Sequence, residues 1–428
     1  MKIGKLKSHS FIQNILILST GTALSQLILF VSTIVLARIY SKNDYGDLSN
    51  FMAIIGIVGS IAALRYELTI MLPQKREDAK NILVLCLTSS FFVALISFCL
   101  LFLFKHLLIN FFNIDNHFRL IISITLGVFF LGVYNSLENW FNRESEFKKI
   151  MNAKLIYSIS STILKILFGV LMISMGLIYG TVAGYIFSTV FFIIFFYKNE
   201  KSGIFDGVSI NNIKLQFIEY KDFFKYSTVG SVLNTISNIG LPLLISYFYT
   251  IELAGIYFFA NNIIRQPLGF ITSSISQVFK KEASTLYYTS PERILQFTRK
   301  IQKNIFYWTF IILLIFSLLG SNIFSLIFGN QWYDSGSLVK YFAIAILLNA
   351  NYSPISSLAD ILRKQKFLLY FNFSNIAFQV VLLYLFSATV QFNYMILLIS
   401  LSVALHYLYI DLYVKRILKK KFHEKSHQ

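Results

Sequence analysis

The 428-residue chain is 56% hydrophobic, with 44 Phe and only 14% charged residues, and its mean hydropathy is +0.64. That composition excludes an intrinsically disordered chain and a disulfide-stapled scaffold, and makes lipid rather than water the main solvent. Lys and Arg outnumber Asp and Glu by 38 to 20, leaving +18, so the positions of the charges decide what they mean.

A helix needs about 20 apolar residues to cross the hydrocarbon core. Twelve segments are long enough: 11–37, 46–70, 82–104, 119–141, 154–174, 177–197, 226–249, 253–278, 305–328, 339–360, 368–388 and 393–414. The start, MKIGKLK, resembles the charged end of a signal peptide, but the run from Phe11 to Leu36 is too long for a cleavable one. It is read as a retained first span. Cys86 and Cys99 share the third span, about 20 Å apart along a helix, too far for a disulfide. Spans five and six are parted only near Met175-Gly176, which requires a tight turn. Gly176, Gly180 and Gly184 lie on one face of the sixth span, a pattern of close helix packing. Pro242 in the seventh span and Pro267 in the eighth remove backbone hydrogen bonds and permit bends.

Basic residues orient the spans. With the N-terminus inside, clusters such as Lys75-Arg76, Lys148-Lys149, Lys280-Lys281, Arg363-Lys364 and the tail KRILKKKFHEK all fall on the cytoplasmic side. The outer loops and their edges hold only Arg38, Lys42, Lys105, Arg119 and Lys340. Both termini are therefore expected in the cytoplasm, and the excess positive charge is a topology signal that also attracts anionic lipid; nucleic acid is not needed to explain it. The longest inner connections, about 198–225 and 279–304, leave no room for a soluble catalytic domain.

The polar linker KNEKSGIFDGVSINNIK separates six spans from six, predicting lobes at 1–204 and 205–428. Setting residue n against n+209 aligns the first span, loop and second span of each half without a gap, pairing Leu24 with Leu233, Tyr40 with Tyr249 and Gly46 with Gly255. Repeated lobes with a site between them are a common transporter plan. The fold class expected is thus an all-α integral membrane protein of about 12 helices in two six-helix bundles.

Ionisable groups inside spans are rare because each costs about 2.5–3.5 kcal/mol at the helix centre. Arg38, Glu138, Asp360 and Asp411 lie near span ends, where snorkelling accounts for them. Lys165 and Arg265 fall near the midplane, and Arg65 lies five residues before the end of the second span, beside Glu67. The spans hold no matching set of midplane acids. A cationic interior suggests an anionic guest, and the competing explanation is an internal salt bridge that fixes helix packing. His406, five residues before Asp411, raises proton coupling as a role for that pair, against the plainer reading of a satisfied structural histidine. The remaining histidines, His9, His106, His117, His423 and His427, form no metal-ligand cluster.

The segment LRYELTIMLPQKREDAKNIL at Arg65 resembles a signature of the Wzx-type polysaccharide flippases of the MOP (multidrug/oligosaccharidyl-lipid/polysaccharide) exporter superfamily. VLARIYSKNDYGDL, NWFNRESEFKKI, EYKDFFKYSTVGSVLNTISN, LAGIYFFANNIIRQPLGFITSSISQVF, IFGNQWYDSG and SPISSLADILRKQK resemble further stretches of that family in order. Phe224 stands where the family tends to have Pro after the KDF triplet, which puts the start of the seventh helix in question. The resemblance implies a MATE-like fold in a bacterial inner membrane. It also implies transfer of undecaprenyl-pyrophosphate-linked repeat units to the outer leaflet for O-antigen or capsule. Arg65, Lys165 and Arg265 would bind the pyrophosphate; Glu67, His406 and Asp411 are candidates for coupling. The implied partners are the lipid-linked glycan, membrane lipids, and a glycan polymerase with its chain-length regulator; no cofactor is implied.

Two rivals remain. An ion-coupled drug antiporter shares the fold but favours midplane carboxylates. A polysaccharide polymerase or ligase needs a sizeable outer loop, and none exceeds roughly 15 residues on the span lengths used above. No G-x-x-x-x-G-K-[ST] motif supports ATP-driven transport.

Overall fold

The computed structural model describes residues 2–108, 111–112, 117–199, 207–289, 291–356, 358, 362 and 365–426. Asp360 and the lobe boundary at 204/205 lie outside them. Among the described residues the chain is helical and has no strand. It divides into two compact units, residues 1–246 and 247–428.

The first unit contains α1 (Lys2–Ile39), α2 (Lys42–Gly59), α3 (Arg76–Leu103), the single turn α4 (Lys105–Leu108), α5 (His117–Arg143), α6 (Phe147–Val170) and α7 (Gly176–Asn199). Three shorter helices follow, α8 (Ile210–Glu219), α9 (Thr228–Ile239) and α10 (Leu241–Phe248), whose last two residues pass into the second unit. A capping box starts α2: the Asp44 amide donates to Ser41 Oγ at 3.2 Å, and the Ser41 amide donates back to the Asp44 carboxylate at 2.8 Å. Helices α6 and α7 meet through a turn with Met172 and Met175 in the left-handed region, as the spacing predicts. The core of this unit is aromatic, with Trp140 and Phe141 of α5 packed against Phe192 and Phe196 of α7.

The second unit contains α11 (Ile251–Thr289), α12 (Pro291–Phe328), α13 (Tyr333–Tyr352), α14 (Gln365–Phe386) and α15 (Phe392–Ser426). Helices α12 and α13 cross at Gly320 and Gly336, where a Cβ on Gly336 would come within 2.2 Å of the Gly320 carbonyl oxygen. Only paired glycines allow that approach. Near one end Phe259 stacks on the buried Trp332 at 3.8 Å.

Among the described residues, eight helices are long and apolar enough to cross a membrane. They become nine if Phe223–Ile239 and Leu241–Phe248, bent by 57° at Gly240, make one broken span. These correspond to nine of the predicted segments. The break falls immediately before Pro242, whose missing N–H suits a helix start. Phe224 sits in a π-helical turn, Phe223–Ser227, so this helix begins irregularly without the family's Pro. The segment 253–278 lies within α11, whereas 46–70 and 339–360 are helical only in part, as α2 to Gly59 and as α13 to Tyr352, where a 3-10 turn at Ser353–Ile355 follows.

One expectation is corrected in form. The second span was read as continuous through residue 70, yet α2 stops at Gly59 and the chain turns through Leu64 and Arg65, both left-handed, into a 3-10 turn at Tyr66–Thr69.

The two tyrosines paired by the internal repeat each end a helix-to-helix corner within their own unit. The Tyr40 hydroxyl donates to the Lys165 carbonyl at 2.7 Å, and the Tyr249 hydroxyl donates to the Val390 carbonyl at 3.1 Å.

Candidate functional site

The broken end of α2 explains how Arg65 and Glu67 meet. Residues two apart on an α-helix point to different sides. The left-handed turn removes that restriction, and Arg65 Nη1 lies 3.2 Å from Glu67 Oε1. A non-glycine residue in this conformation costs about 1–3 kcal/mol, which the ion pair and the packing of Tyr66 help offset. Tyr66 is fully buried and donates to the Phe217 carbonyl at 3.0 Å. The pair is not saturated: Arg65 Nε and Glu67 Oε2 are buried without a hydrogen-bond partner. Arg65 therefore has the acidic partner that the packing explanation demands, while keeping donor capacity to spare.

Lys165 differs. Exposed Ile159, Ile163 and Val170 mark the lipid side of α6, and at 100° per residue Lys154, Tyr157, Ser161 and Lys165 share the opposite side. The stem of Lys165 lies against Gly180 of α7, where a Cβ would sit 2.5 Å from Lys165 Cγ. The small face of α7 thus does pack closely. Among the described residues no carboxylate pairs with the Lys165 ammonium. One helical stretch nearer the chain start, Lys154 Nζ bridges to Glu138 Oε1 of α5 at 3.0 Å, so Glu138 is held by a neighbouring helix rather than simply reaching for the surface.

In the second unit, Tyr257, Asn261 and Arg265 recur every four residues along α11 and form one polar stripe. Arg265 Nε, Asn261 Oδ1 and the neighbouring Gln266 Oε1 are buried without hydrogen-bond partners. No carboxylate pairs with Arg265 among the described residues. A continuous α11 carries it past Pro267.

His406 and Asp411 are five residues apart on α15, or about 140° around the helix, and face different neighbours. His406 is 2.9 Å from Ser374 Oγ of α14 and 2.8 Å from the Ser402 carbonyl. A carbonyl only accepts, so Nδ1 is the protonated nitrogen. Asp411 accepts from Gln302 Nε2 of α12 at 2.8 Å and from Lys415 Nζ at 2.6 Å. It lines a cavity of about 220 Å³ with Asn351 and Lys303. The two form no direct relay. Among the described residues no three His, Cys, Asp or Glu side chains gather as a metal site.

Three tyrosines that no sequence motif singles out, Tyr134, Tyr157 and Tyr185, converge inside the first unit, with ring centroids 4.7 Å apart for Tyr157–Tyr185 and 6.4 Å for Tyr134–Tyr185. The available signal was the helical register of Tyr157, one turn from Lys154 and on the Lys165 side.

Residues 35–337 match the family described as polysaccharide biosynthesis protein. No curated protein matches the chain in sequence. Among solved structures, the chain is similar to the lipid II flippase MurJ in an inward closed conformation, at 16% identity and a TM-score of 0.74, over 94% of this chain and 87% of that one. An inward-facing multidrug resistance MATE family transporter of the MOP superfamily is similar at 12% identity and a TM-score of 0.68, over 92% and 96%. A MOP superfamily transporter from Pyrococcus furiosus Vc1 (DSM3638) is similar at 13% identity and a TM-score of 0.59, over 95% of each chain. The fold is that of the MOP superfamily transporters.

Proposed function

Because the chain belongs to the polysaccharide biosynthesis protein family, we propose that it is a flippase for undecaprenyl-pyrophosphate-linked oligosaccharide repeat units, carrying them from the cytoplasmic to the outer leaflet of a bacterial inner membrane for O-antigen or capsule. The observation that carries this reading is the pair of helices, α6 and α11, bearing Lys165 and Arg265 with no carboxylate to neutralise either, among the described residues. A pyrophosphate concentrates negative charge that hydrocarbon excludes, and fixed cations in a hydrated interior lower that penalty. Arg65, partly engaged by Glu67, is the third proposed contact. The proposal includes twelve spans with both termini cytoplasmic, lobes divided at 204/205 and alternating access. It also includes handover to a glycan polymerase and chain-length regulator, with coupling through Glu67, His406 or Asp411.

The reading is tested by deletion. Lipid-linked repeat units should collect on the inner leaflet and the matching surface glycan should vanish, while assembly of the lipid-linked unit continues in membrane extracts. Unchanged surface glycan with raised sensitivity to cationic drugs would replace the flippase with an antiporter of the same fold.

A further inference from the structure

We propose that Tyr134, Tyr157 and Tyr185, with the Glu138–Lys154 pair, form a sugar-binding subsite in the first unit that reads the residues of the glycan nearest the pyrophosphate. The inference rests on the flippase reading above and adds the part of the substrate that the cations do not address.

Three observations support it. First, the cluster is assembled from α5, α6 and α7 by close packing: a Cβ on Gly184 would sit 2.8 Å from Ser161 Cβ and 3.0 Å from Tyr157 Cδ2. Gly184 thus draws α7 in and brings the Tyr185 ring to 4.7 Å from that of Tyr157. Second, polar capacity is left over. The Tyr157 and Tyr185 hydroxyls pair with each other, and beside them Ser161 Oγ is fully buried without a hydrogen-bond partner, where a buried hydroxyl ordinarily finds one. Third, the Glu138 and Lys154 side chains remain 28% and 26% exposed while 3.0 Å apart, so the carboxylate keeps acceptor capacity and the ammonium keeps donors.

Aromatic faces, phenolic hydroxyls and a carboxylate paired with an ammonium match a pyranose. Its C–H face packs on rings, and its vicinal hydroxyls both donate and accept. A helix-packing cluster needs the rings but has no use for a buried, unpartnered hydroxyl such as Ser161 Oγ. Placement also fits. Tyr157 and Lys165 are eight residues apart on α6, about 12 Å along the axis and within a quarter turn of each other. That span suits a pyrophosphate held at Lys165 and the first one or two sugars held at the tyrosines.

The test uses purified protein in nanodiscs and two probes: undecaprenyl pyrophosphate without sugar, and the lipid-linked repeat unit extracted from cells lacking the transporter. The wild type should bind the glycosylated lipid more tightly than the bare one. Tyr157→Phe with Tyr185→Phe keeps both rings and removes two hydroxyls, and should weaken the glycosylated lipid about tenfold while the bare lipid binds as before. Glu138→Gln should act in the same selective direction. Lys165→Met should weaken both probes. Thermal unfolding of each variant separates lost recognition from lost folding. Equal binding of the glycosylated lipid by a folded double Phe variant and the wild type overturns the subsite and leaves the flippase reading standing. Failure of the wild type to bind either probe overturns the flippase reading and this inference with it.

Discussion

Replacing Lys165 by Met separates charge from packing at the proposed pyrophosphate contact. Methionine keeps an unbranched stem that still lies along Gly180, the surface the Lys165 stem now covers. Lys165 stands five residues before the end of α6 at Val170, and removing an ammonium from a span favours insertion by up to about 2.5–3.5 kcal/mol, the translocon figure for a helix centre. Membrane levels of the variant should therefore equal or exceed those of wild type. A hydrogen bond to a charged group contributes about 1.5–3 kcal/mol, which at 1.4 kcal/mol per factor of ten is about 10- to 150-fold. Surface glycan per molecule of membrane-inserted protein, measured early after induction, should fall by a factor in that range. Lys165→Arg keeps the charge with a different donor geometry and should retain more transport than Met. Wild-type transport by well-inserted Lys165→Met refutes the charge argument. A sharp drop in protein level instead of transport shows that the ammonium serves the fold.

Arg265→Ala should likewise insert normally and lose transport, and a fully active double variant with Lys165→Ala, assayed by surface glycan, rules out a cationic mechanism. Exchanging the partners, Arg65→Glu with Glu67→Arg, should recover the protein level lost by either single change but not transport; recovered transport in the glycan assay reduces Arg65 to a packing role. His406→Phe leaves the Ser374 hydroxyl unpaired and should cost about 1 kcal/mol of stability, read as a lower Tm, with the pH profile of transport unchanged; an altered profile assigns it to coupling. Single cysteines at Asn43 and Gln331 should label from outside and those at Gln74 and Ser284 only from the cytoplasm, in a background with Cys86 and Cys99 replaced; labelling of the C-terminal tail from outside contradicts the proposed topology.

Hydrophobic length made most of the helices legible, and loop spacing located the turn before Gly176. The small face at Gly180 and Gly184 was legible as packing because a missing Cβ has one dominant use in lipid. What stayed hidden depends on contacts between distant segments. The break after Gly59 carries no Pro and no glycine at its left-handed residues, Leu64 and Arg65. Local propensity favours continuing the helix there, and the Arg65–Glu67 pair and the burial of Tyr66 override it. The same pair was foreseeable as chemistry, since its members were the nearest opposite charges, but not as geometry. The tyrosine cluster was illegible for a related reason. Whether a tyrosine faces headgroups or a helix interior depends on which neighbour covers it, and Tyr134, Tyr157 and Tyr185 come from three different helices. His406 and Asp411 looked like one relay from their spacing, and the angle between them on α15 separates them.

The hydroxyl of Tyr40 ends on the backbone of Lys165 itself, and that makes a mechanical linkage of two elements far apart in the chain. The carbonyl it engages belongs to α6, while the tyrosine belongs to the corner that follows α1, where Gly169 and Gly176 leave room for its ring. In the proposed alternating-access cycle, a tilt of α1 would pull through this bond on the turn of helix that bears the ammonium, so that the corner and the lysine would move together.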